Sequence, residues 1–353
     1  MTPILTYSQR IEAFARWGEF MRSDDERLQA FVLSAQYDNA WFTPEETGRA
    51  LRAIASMLEK EQLEEWFLRD FPPGEGSDLP APKKVGLILA GNIPLVGFHD
   101  VLSVLAFGYK ALIKLSSNDK RLLPFLLEKL VGIEPAFSGS FVFIDRLVDF
   151  DAVIATGSGN TSRYFDYYFS KVPNIIRKNR TSVAVLDGTE SPAQLFALGH
   201  DVFDYFGLGC RNVSKIYVPA GYDLAAFFLP VEPFNTIGDH HKYHNNYEYN
   251  KSIMLVNGDK HFDNGFLLVR ESPALNSPLA VIHYEEYDHA DGLVQKLGGI
   301  AGELQVIVTS LPLSLPVQTV TFGESQQPRL WDYADGRNII EFLRQLLPVM
   351  NDG

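Results

Sequence analysis

The stretch Lys84–Ser117, KVGLILAGNIPLVGFHDVLSVLAFGYKALIKLSS, decides the fold because two apolar runs flank a helical pattern. KVGLILAG and KALIKLSS are short and continuously apolar, which predicts strands buried on both faces of a sheet. PLVGFHDVLSVLAFGY between them predicts a helix. A strand, a helix and a second strand in this order predict a β-α-β unit with parallel strands.

The same alternation continues to the end of the chain. DKRLLPFLLEKLV and SRYFDYYFSKV predict further helices, and another helix reaches about Tyr205. The remaining apolar runs predict strands, and these are SFVFID, DAVIATG, SVAVLDG, VSKIYVP, SIMLVNG, FLLVRE, LAVIHY and LQVIVTS. So many parallel-type strands exceed one small sheet. The sequence therefore predicts an α/β protein with two Rossmann-like domains, parallel-type sheets and a boundary near Arg180.

Composition restricts the classes of function. The 353 residues are 46% hydrophobic, which suffices for a full core, and the net charge of -13 argues against a nucleic-acid partner. An anionic ligand must be held by a local basic patch. The first twenty residues lack a basic region followed by an apolar one, so no signal peptide is evident. Asn92 and Pro94 interrupt the most apolar stretch, so we expect a cytoplasmic protein without a membrane span.

Several polar residues follow predicted strands, where open α/β sheets bind their ligands. Asn92 could donate to an oxyanion, or it could cap the next helix. Lys114 ends a strand and could bind a ligand or only face solvent. Gly157 and Ser158 open a glycine-rich turn, ATGSGNTSRYF, whose N–H groups could hold a phosphate, although one such turn is weak evidence.

Two other clusters admit two interpretations each. KVPNIIRKNRTS concentrates four basic residues, which could form a solvated face or bind a phosphate-rich ligand such as coenzyme A or a dinucleotide. His240 and His244 have helical i, i+4 spacing, but no third and fourth metal ligands are suggested. We therefore predict a polar loop or helix there and no metal site.

Cys210 is the only cysteine of the chain, which excludes an internal disulfide and a multi-thiolate zinc site. It lies in FGLGCRNVSKIYVP, a glycine-rich turn before a predicted strand. A cysteine kept only for packing usually has apolar neighbours, whereas this one stands between Gly209 and Arg211. On these residues alone, a nucleophile and an incidental cysteine both stay open.

Taken together, these segments resemble the aldehyde dehydrogenase superfamily over residues 83 to 310. In that family a strand-end asparagine is followed by a lysine strand similar to K-P-S, a G-S turn, and the nucleophile in a G-Q-x-C turn. The counterparts here are Asn92, Lys114, Gly157 with Ser158, and Cys210. RESPALNSPLAVIHY is similar to the family's E-E-x-F-G-P-V-L-x-V segment, which implies that Glu271 holds the nicotinamide ribose.

The departures from the family pattern resemble its acyl-CoA reductase branch, which includes LuxC, the fatty acid reductase component of bacterial luminescence. Hydrolytic members carry a water-activating glutamate in E-L-G-G-K, whereas IRKNRTSVAVLDG has no carboxylate at that point. The chain is also shorter before its first dinucleotide-domain strand. GNIPL, NVSKIYVP and GESQQPRLWDYADGRNIIEFL are similar to that branch as well. The resemblance does not imply light emission.

This resemblance implies an acyl-CoA reductase, an NAD(P)H-dependent oxidoreductase that converts an acyl thioester to a fatty aldehyde. Cys210 would attack the thioester, and the Asn92 amide and the Cys210 backbone N–H would hold the oxyanion. An ordinary cysteine has a pKa of about 8.5, and turn N–H groups with a nearby positive charge can favour the thiolate. The donor would be acyl-CoA or an acyl-carrier thioester, an acyl synthetase or acyltransferase would be a partner, and a homo-oligomer is expected.

Cofactor binding is assigned by the same resemblance to Lys114, Ser116, Ser117, Gly157, Ser158 and Glu271. NAD-preferring relatives often place a glutamate after the strand lysine, where it would repel a 2′-phosphate. Here two serines follow, and the first carboxylate is Asp119. We therefore predict NADPH over NADH, although an alignment slip of two residues would bring Asp119 to the ribose.

Four regions are expected on this basis. Residues 1–80 form a helical region packing on the cofactor domain, 81–180 the dinucleotide-binding domain, 181–320 the catalytic thiol domain, and 321–353 a segment returning to the core. In the first region PEETGRALRAIASMLEKEQLEEWFLRDF predicts helix after Thr43 as N-cap, and PPGEGSDLPAPKK predicts a linker.

Two other functions stay open on the sequence alone. One is an acyl-phosphate reductase of the glutamyl phosphate reductase type. The other is a non-catalytic dinucleotide-binding partner of an acyl synthetase, which would bind cofactor without consuming a thioester.

Overall fold

The computed structural model describes residues 5–73, 82–157 and 159–347, and these divide into two compact units. The first unit takes the described residues up to Asn179 together with Arg329–Tyr333 and 337–347. The second unit takes residues 180–328 and 334–336. Most of the predicted linker PPGEGSDLPAPKK lies outside the described residues.

A parallel sheet of five strands forms the centre of the first unit, in the order β3-β2-β1-β4-β5. The chain order reverses at β1, which is the switch point at which open α/β sheets bind ligands. The central residues of β1 and β2 are buried, as their apolar runs predicted. The strands are β1 (Lys84–Ile88), β2 (Lys110–Lys114), β3 (Phe141–Phe143), β4 (Ala152–Thr156) and β5 (Asn174–Arg177).

Within the residues that the structure describes, α-helices precede or connect these strands. They are α1 (Tyr7–Met21), α2 (Glu26–Asp38), α3 (Pro44–Met57), α4 (Lys60–Asp70), α5 (Phe98–Phe107), α6 (Leu122–Ile133) and α7 (Gly159–Phe169). The predicted N-cap is confirmed, because the Thr43 hydroxyl accepts a hydrogen bond from the backbone N–H of Glu46 at the start of α3. The helical run predicted after it forms two helices, since α3 ends at Met57 and α4 begins at Lys60.

The second unit has a sheet of seven strands in the order β12-β11-β6-β7-β10-β9-β8. All neighbouring strands are parallel except β8 and β9, which are antiparallel. The strands are β6 (Thr181–Val185), β7 (Val213–Pro219), β8 (Phe262–Asp263), β9 (Leu268–Glu271), β10 (Val281–Tyr287), β11 (Leu304–Val308) and β12 (Thr319–Val320). The helices are α8 (Pro192–Phe203), α9 (Ala225–Val231), α10 (His241–Asn257) and α11 (Ala290–Gly299).

The chain then contributes residues to the first unit again, ending in α12 (Ile339–Arg344). Buried polar bonds attach this part, since the Trp66 indole N–H donates to the Tyr333 hydroxyl at 2.7 Å. That hydroxyl donates to the Asp70 carboxylate at 2.6 Å. Each polar group therefore has a partner inside an apolar surrounding, which offsets the cost of burying it.

Some elements of the structure differ from the prediction. SIMLVNG is not a strand but the last turns of α10, which ends at Gly258 in a left-handed conformation. Helix α5 begins at Phe98, later than PLVG predicted, because Leu95 has a left-handed backbone with φ of 56°. NIIR, within the basic segment KVPNIIRKNRTS, forms strand β5, where no strand was predicted.

Both units therefore have the α/β organisation with parallel sheets that the alternation of runs predicted. Within residues 5–73, 82–157 and 159–347, no helix is both long enough and apolar enough to cross a membrane.

Candidate active site

Three predicted site residues lie at one edge of the first unit's sheet. In the register, Ile88 at the end of β1 is paired with Lys114 at the end of β2, and Ile88 is level with Ala155 of β4. Asn92 is exposed in the loop after β1, and Gly157 follows β4 directly. The structure thus brings these residues to the carboxyl edge at the switch point, where a ligand is expected. Ser158 lies outside the described residues.

The helix-cap interpretation of Asn92 is wrong. The N-cap of α5 is Gly97, and the helix begins at Phe98. The loop between β1 and α5 instead passes through the left-handed residue Leu95 and leaves Asn92 exposed. The role of Asn92 as an oxyanion donor stays a prediction.

The loop after β2 packs closely against the loop after β1. A Cβ on Gly91 would lie 2.5 Å from the Ser116 Oγ, so only glycine fits there without a shift. The same Oγ accepts a hydrogen bond of 3.3 Å from the Asn118 backbone N–H. Ser116 is therefore half-buried between backbone groups, whereas Lys114 and Ser117 are exposed.

The Asp119 carboxylate is occupied within these loops. Its Oδ2 accepts a hydrogen bond of 2.8 Å from the backbone N–H of Leu95. Burial raises the pKa of Asp119 to about 6, although the bond from Leu95 opposes that shift. The hydrogen bond from Leu95 to this carboxylate supports the left-handed turn at Leu95. The alternative role, binding a ribose hydroxyl, does not explain this bond.

Much of the predicted basic cluster is paired with carboxylates of its own unit. Arg177 is buried and forms a 2.6 Å ion pair with Asp100, which is also buried. The Lys178 ammonium lies 3.5 Å from an Asp166 carboxylate oxygen. Arg177 at the end of β5 therefore has a structural role in joining the strand to helix α5, so it does not support the phosphate-binding interpretation.

His240 and His244 lie at the start of helix α10, and His240 also contacts an aromatic ring. His240 precedes α10, and its ring centroid lies 4.4 Å from that of Phe206. Among the residues that the structure describes, no group of three or more histidine, cysteine, aspartate or glutamate side chains is arranged to hold a metal ion.

Cys210 is exposed and lies three residues before β7. The chain reaches it through a tight bend after α8, in which Tyr205 and Phe206 have φ of 54° and 57° and Gly207 has φ of 74°. A left-handed backbone costs roughly 1–2 kcal/mol for a residue with a side chain. The bend is therefore strained, and such strain persists only where neighbouring groups fix it.

Hydrogen bonds to other segments hold the chain around Cys210. The Ser182 hydroxyl on β6 donates to the Cys210 carbonyl at 2.9 Å. The Arg211 guanidinium donates to the Ser325 carbonyl at 2.6 Å and to the Gln318 side-chain oxygen at 2.8 Å. The positive charge of Arg211 next to the thiol therefore anchors the segment that carries Cys210.

The segment that Arg211 binds is itself attached to α8 by a buried carboxylate. Asp201 accepts hydrogen bonds from the backbone N–H groups of Gly323 at 2.6 Å and Ser325 at 2.9 Å. Burial raises the pKa of Asp201 to about 6, while these bonds oppose the shift. Ser182, Asp201 and Arg211 were not identified as support for Cys210 because their partners are far away in sequence.

Glu271 lies at the carboxyl end of strand β9. It is the exposed last residue of β9, paired through Tyr284 of β10 with Ile216 of β7. Cys210, by contrast, precedes the amino end of β7. The ribose-binding role of Glu271 stays a prediction.

The residues after Glu271 return across β7 toward its amino end. The buried Lys215 ammonium donates to the carbonyls of Ser272 at 3.0 Å and Pro273 at 3.1 Å. The Ser214 hydroxyl, one residue nearer the amino end, donates to the Leu275 carbonyl at 3.2 Å. Burial lowers the pKa of Lys215, while its 2.7 Å ion pair with Glu285 opposes the shift.

No protein-family model matches the chain, and no curated protein matches it in sequence. Solved structures do match. Aldehyde dehydrogenase 21 from Physcomitrella patens, in complex with succinate, has a TM-score of 0.66 at 14% identity, over 98% of this chain and 85% of that one. An aldehyde dehydrogenase from Mycobacterium tuberculosis, complexed with NAD+, has a TM-score of 0.59 at 14% identity, over 88% and 74% of the two chains.

A third structure, the Delta-pyrroline-5-carboxylate dehydrogenase from Mycobacterium tuberculosis, has a TM-score of 0.59 at 14% identity, over 87% of this chain and 67% of that one. At these identities the likeness concerns the fold. It confirms the predicted fold class: the chain has the α/β fold with parallel sheets that is found in the aldehyde dehydrogenases.

Proposed function

We propose that this protein is a LuxC-like acyl-CoA reductase, which reduces an acyl-CoA or acyl-carrier thioester to a fatty aldehyde with NADPH. The observation that carries the proposal is the presentation of Cys210. The only thiol of the chain is exposed, and a strained bend places it before a central strand of a sheet with the aldehyde dehydrogenase fold. Strain of this kind is concentrated at functional sites.

The first unit offers a place for the nicotinamide cofactor at its switch point. Lys114 and Ser117 are exposed beside the close approach of Gly91 to Ser116, and Gly157 follows β4 on the same edge. An ammonium and a hydroxyl donor fit a 2′-phosphate. Asp119, the nearest carboxylate after Lys114, is bound to Leu95, which supports NADPH over NADH.

The chemistry of the thiol follows in two steps. The Cys210 thiolate attacks the acyl carbonyl, and the family resemblance assigns the oxyanion to the Asn92 amide and the Cys210 backbone N–H. The carbon–sulfur bond to the carrier then breaks, the carrier leaves as a thiol after taking a proton, and the acyl group stays on Cys210. A bound NADPH would supply a hydride to the acyl carbon, and the carbon–sulfur bond to Cys210 would then break to give the aldehyde and restore the thiolate.

The acyl-enzyme must survive until it is reduced. The segment IRKNRTSVAVLDG, which precedes and includes β6, has no carboxylate at the point where hydrolytic aldehyde dehydrogenases carry their water-activating glutamate. Arg177 in this segment is paired with Asp100. The absence of a base at this position favours transfer to hydride over loss to water.

The test is to incubate the protein with NADPH and a panel of acyl-CoAs while following the absorbance of the reduced cofactor. Consumption of NADPH with release of free coenzyme A and aldehyde supports the proposal. Cys210→Ala should abolish it, and Ser214→Ala, which removes an oxygen from the nearby strand β7, serves as a matched control.

Two other results would replace the proposal. Reduction of an acyl phosphate but of no thioester would assign the protein to the glutamyl phosphate reductase type. Binding of NADPH without reduction of either substrate would indicate a non-catalytic partner of an acyl synthetase.

A further inference from the structure

One buried asparagine contacts the backbone on both sides of the bend that leads to Cys210. The Asn212 Nδ2 donates to the carbonyls of Asp201 at 3.1 Å, Val202 at 3.4 Å and Asp204 at 2.8 Å. Its Oδ1 accepts a hydrogen bond of 2.8 Å from the Gly209 backbone N–H. Asn212 is only 3% exposed, so these groups bond to it largely without competition from water.

These contacts join two segments that the strained residues separate. The three carbonyls belong to the end of α8 and the residue that follows it, where helical carbonyls have no partner within the helix. Gly209 lies beyond the left-handed residues Tyr205 and Phe206, directly before the thiol. The asparagine amide therefore closes the bend at both ends, using its donor and its acceptor atoms at once.

We propose that Asn212 is a positioning residue, which fixes the backbone of Cys210 and thereby the direction in which the thiol attacks. The inference rests on the proposed function, since it takes Cys210 as the nucleophile. Asn212 is buried and acts through Gly209 and the end of α8. An aspartate would keep the acceptor for Gly209 but lose both donors and place a charge against three carbonyl oxygens.

The experiment compares Asn212→Ala and Asn212→Asp with a matched control, Asn174→Ala. Asn174 also donates to two backbone carbonyls, those of Phe169 and Val172, but it lies in the first unit. We expect the Asn212 variants to lower kcat about 10- to 100-fold with KM for acyl-CoA changed less than about threefold, because small misplacements of a reacting group have effects of this size. The control should keep the wild-type kcat.

A second readout needs no acyl donor or cofactor. Cys210 is the only thiol, so the rate of its alkylation by iodoacetamide from about pH 6 to about pH 9 reports on this residue alone. The Asn212 variants should shift this pH profile and Asn174→Ala should not. If wild type alkylates as expected but reduces no thioester, the proposed function fails while the positioning inference is still tested.

Two results would overturn the inference. One is folded Asn212 variants, verified by circular dichroism, with wild-type kcat and an unchanged alkylation profile. The other applies to the wild-type protein and holds even if no variant folds: hydrogen exchange at the Gly209 amide as fast as at an unprotected loop amide. The inference predicts exchange at this amide at least ~100-fold slower than at an unprotected amide, because the Gly209 N–H donates to the Asn212 Oδ1.

Discussion

The Asp119 carboxylate accepts a 2.8 Å hydrogen bond from the backbone N–H of Leu95, and Leu95 has a left-handed backbone with φ of 56°. This bond joins the loop after β2 to the loop after β1, which carries Asn92. The left-handed turn at Leu95 also delays the start of α5 to Phe98. A half-buried carboxylate therefore supports the loop that carries the predicted oxyanion donor.

Asp119 should make stability depend on pH in a defined window. Its pKa is raised from 3.8 to about 6, so the folded protein keeps a proton that the unfolded chain has already released. The resulting stabilisation is complete below about pH 4 and is lost as the pH rises through about 6. Between these values the free energy of unfolding of Asp119→Asn should rise by about 2 kcal/mol relative to wild type.

Chemical denaturation at several pH values measures this effect. Asp145→Asn, which changes an exposed aspartate of the same unit, provides the control and should show no such trend. A difference between Asp119→Asn and wild type that stays constant from about pH 4 to about pH 7 would contradict the raised pKa.

Asn92→Ala should lower kcat about 100-fold or more and leave the KM for acyl-CoA nearly unchanged, as expected for the loss of an oxyanion donor. Asn118→Ala removes another exposed asparagine from the same sheet edge and should have little effect. Equal losses in the two variants, or a loss confined to KM, would remove Asn92 from the chemical step.

Cofactor preference tests Lys114 and Ser117. Lys114→Ala should raise the KM for NADPH about tenfold and the KM for NADH little, because only NADPH carries the 2′-phosphate. Ser117→Glu should shift preference toward NADH by repulsion of that phosphate. Lys110→Ala, at the other end of β2, is the control. A wild-type kcat/KM that favours NADH would show the assignment to be incorrect.

Glu271→Gln tests the predicted ribose-binding role of this carboxylate. If it holds the nicotinamide ribose, the loss of a charge-assisted hydrogen bond of about 1.5–3 kcal/mol should raise the KM for NADPH about tenfold or more. Glu286→Gln, which changes another exposed carboxylate near the end of β10, is the control. Identical cofactor kinetics in wild type and both variants would exclude Glu271 from the ribose.

The elements with strong local patterns were predictable from sequence. Strands β1 and β2 are continuous apolar runs, and α3 has its N-cap at Thr43. The strand predicted at SIMLVNG was wrong because a short apolar run does not distinguish a strand from the end of a helix. The residues before it extend the helix, and Gly258 ends it only afterwards.

The candidate site was predictable to the extent that it follows strand ends. Asn92 and Lys114 were identified because strand, loop and helix are read in order along the chain. The supports of Cys210 were not, since Arg211 binds Gln318 and Ser325, which lie more than one hundred residues away. Asn212 stands only two residues from the cysteine, but nothing in its sequence context shows that it binds the end of α8.

The central claim is that Cys210 carries the acyl group, and the mass of the intact protein after incubation with acyl-CoA and no reductant tests it most directly. We predict one acyl adduct per chain on the wild-type protein, no adduct on Cys210→Ala, and loss of the adduct with release of aldehyde when NADPH is added. An adduct that persists in Cys210→Ala, or a wild-type protein that reduces acyl-CoA without ever forming one, would contradict the account.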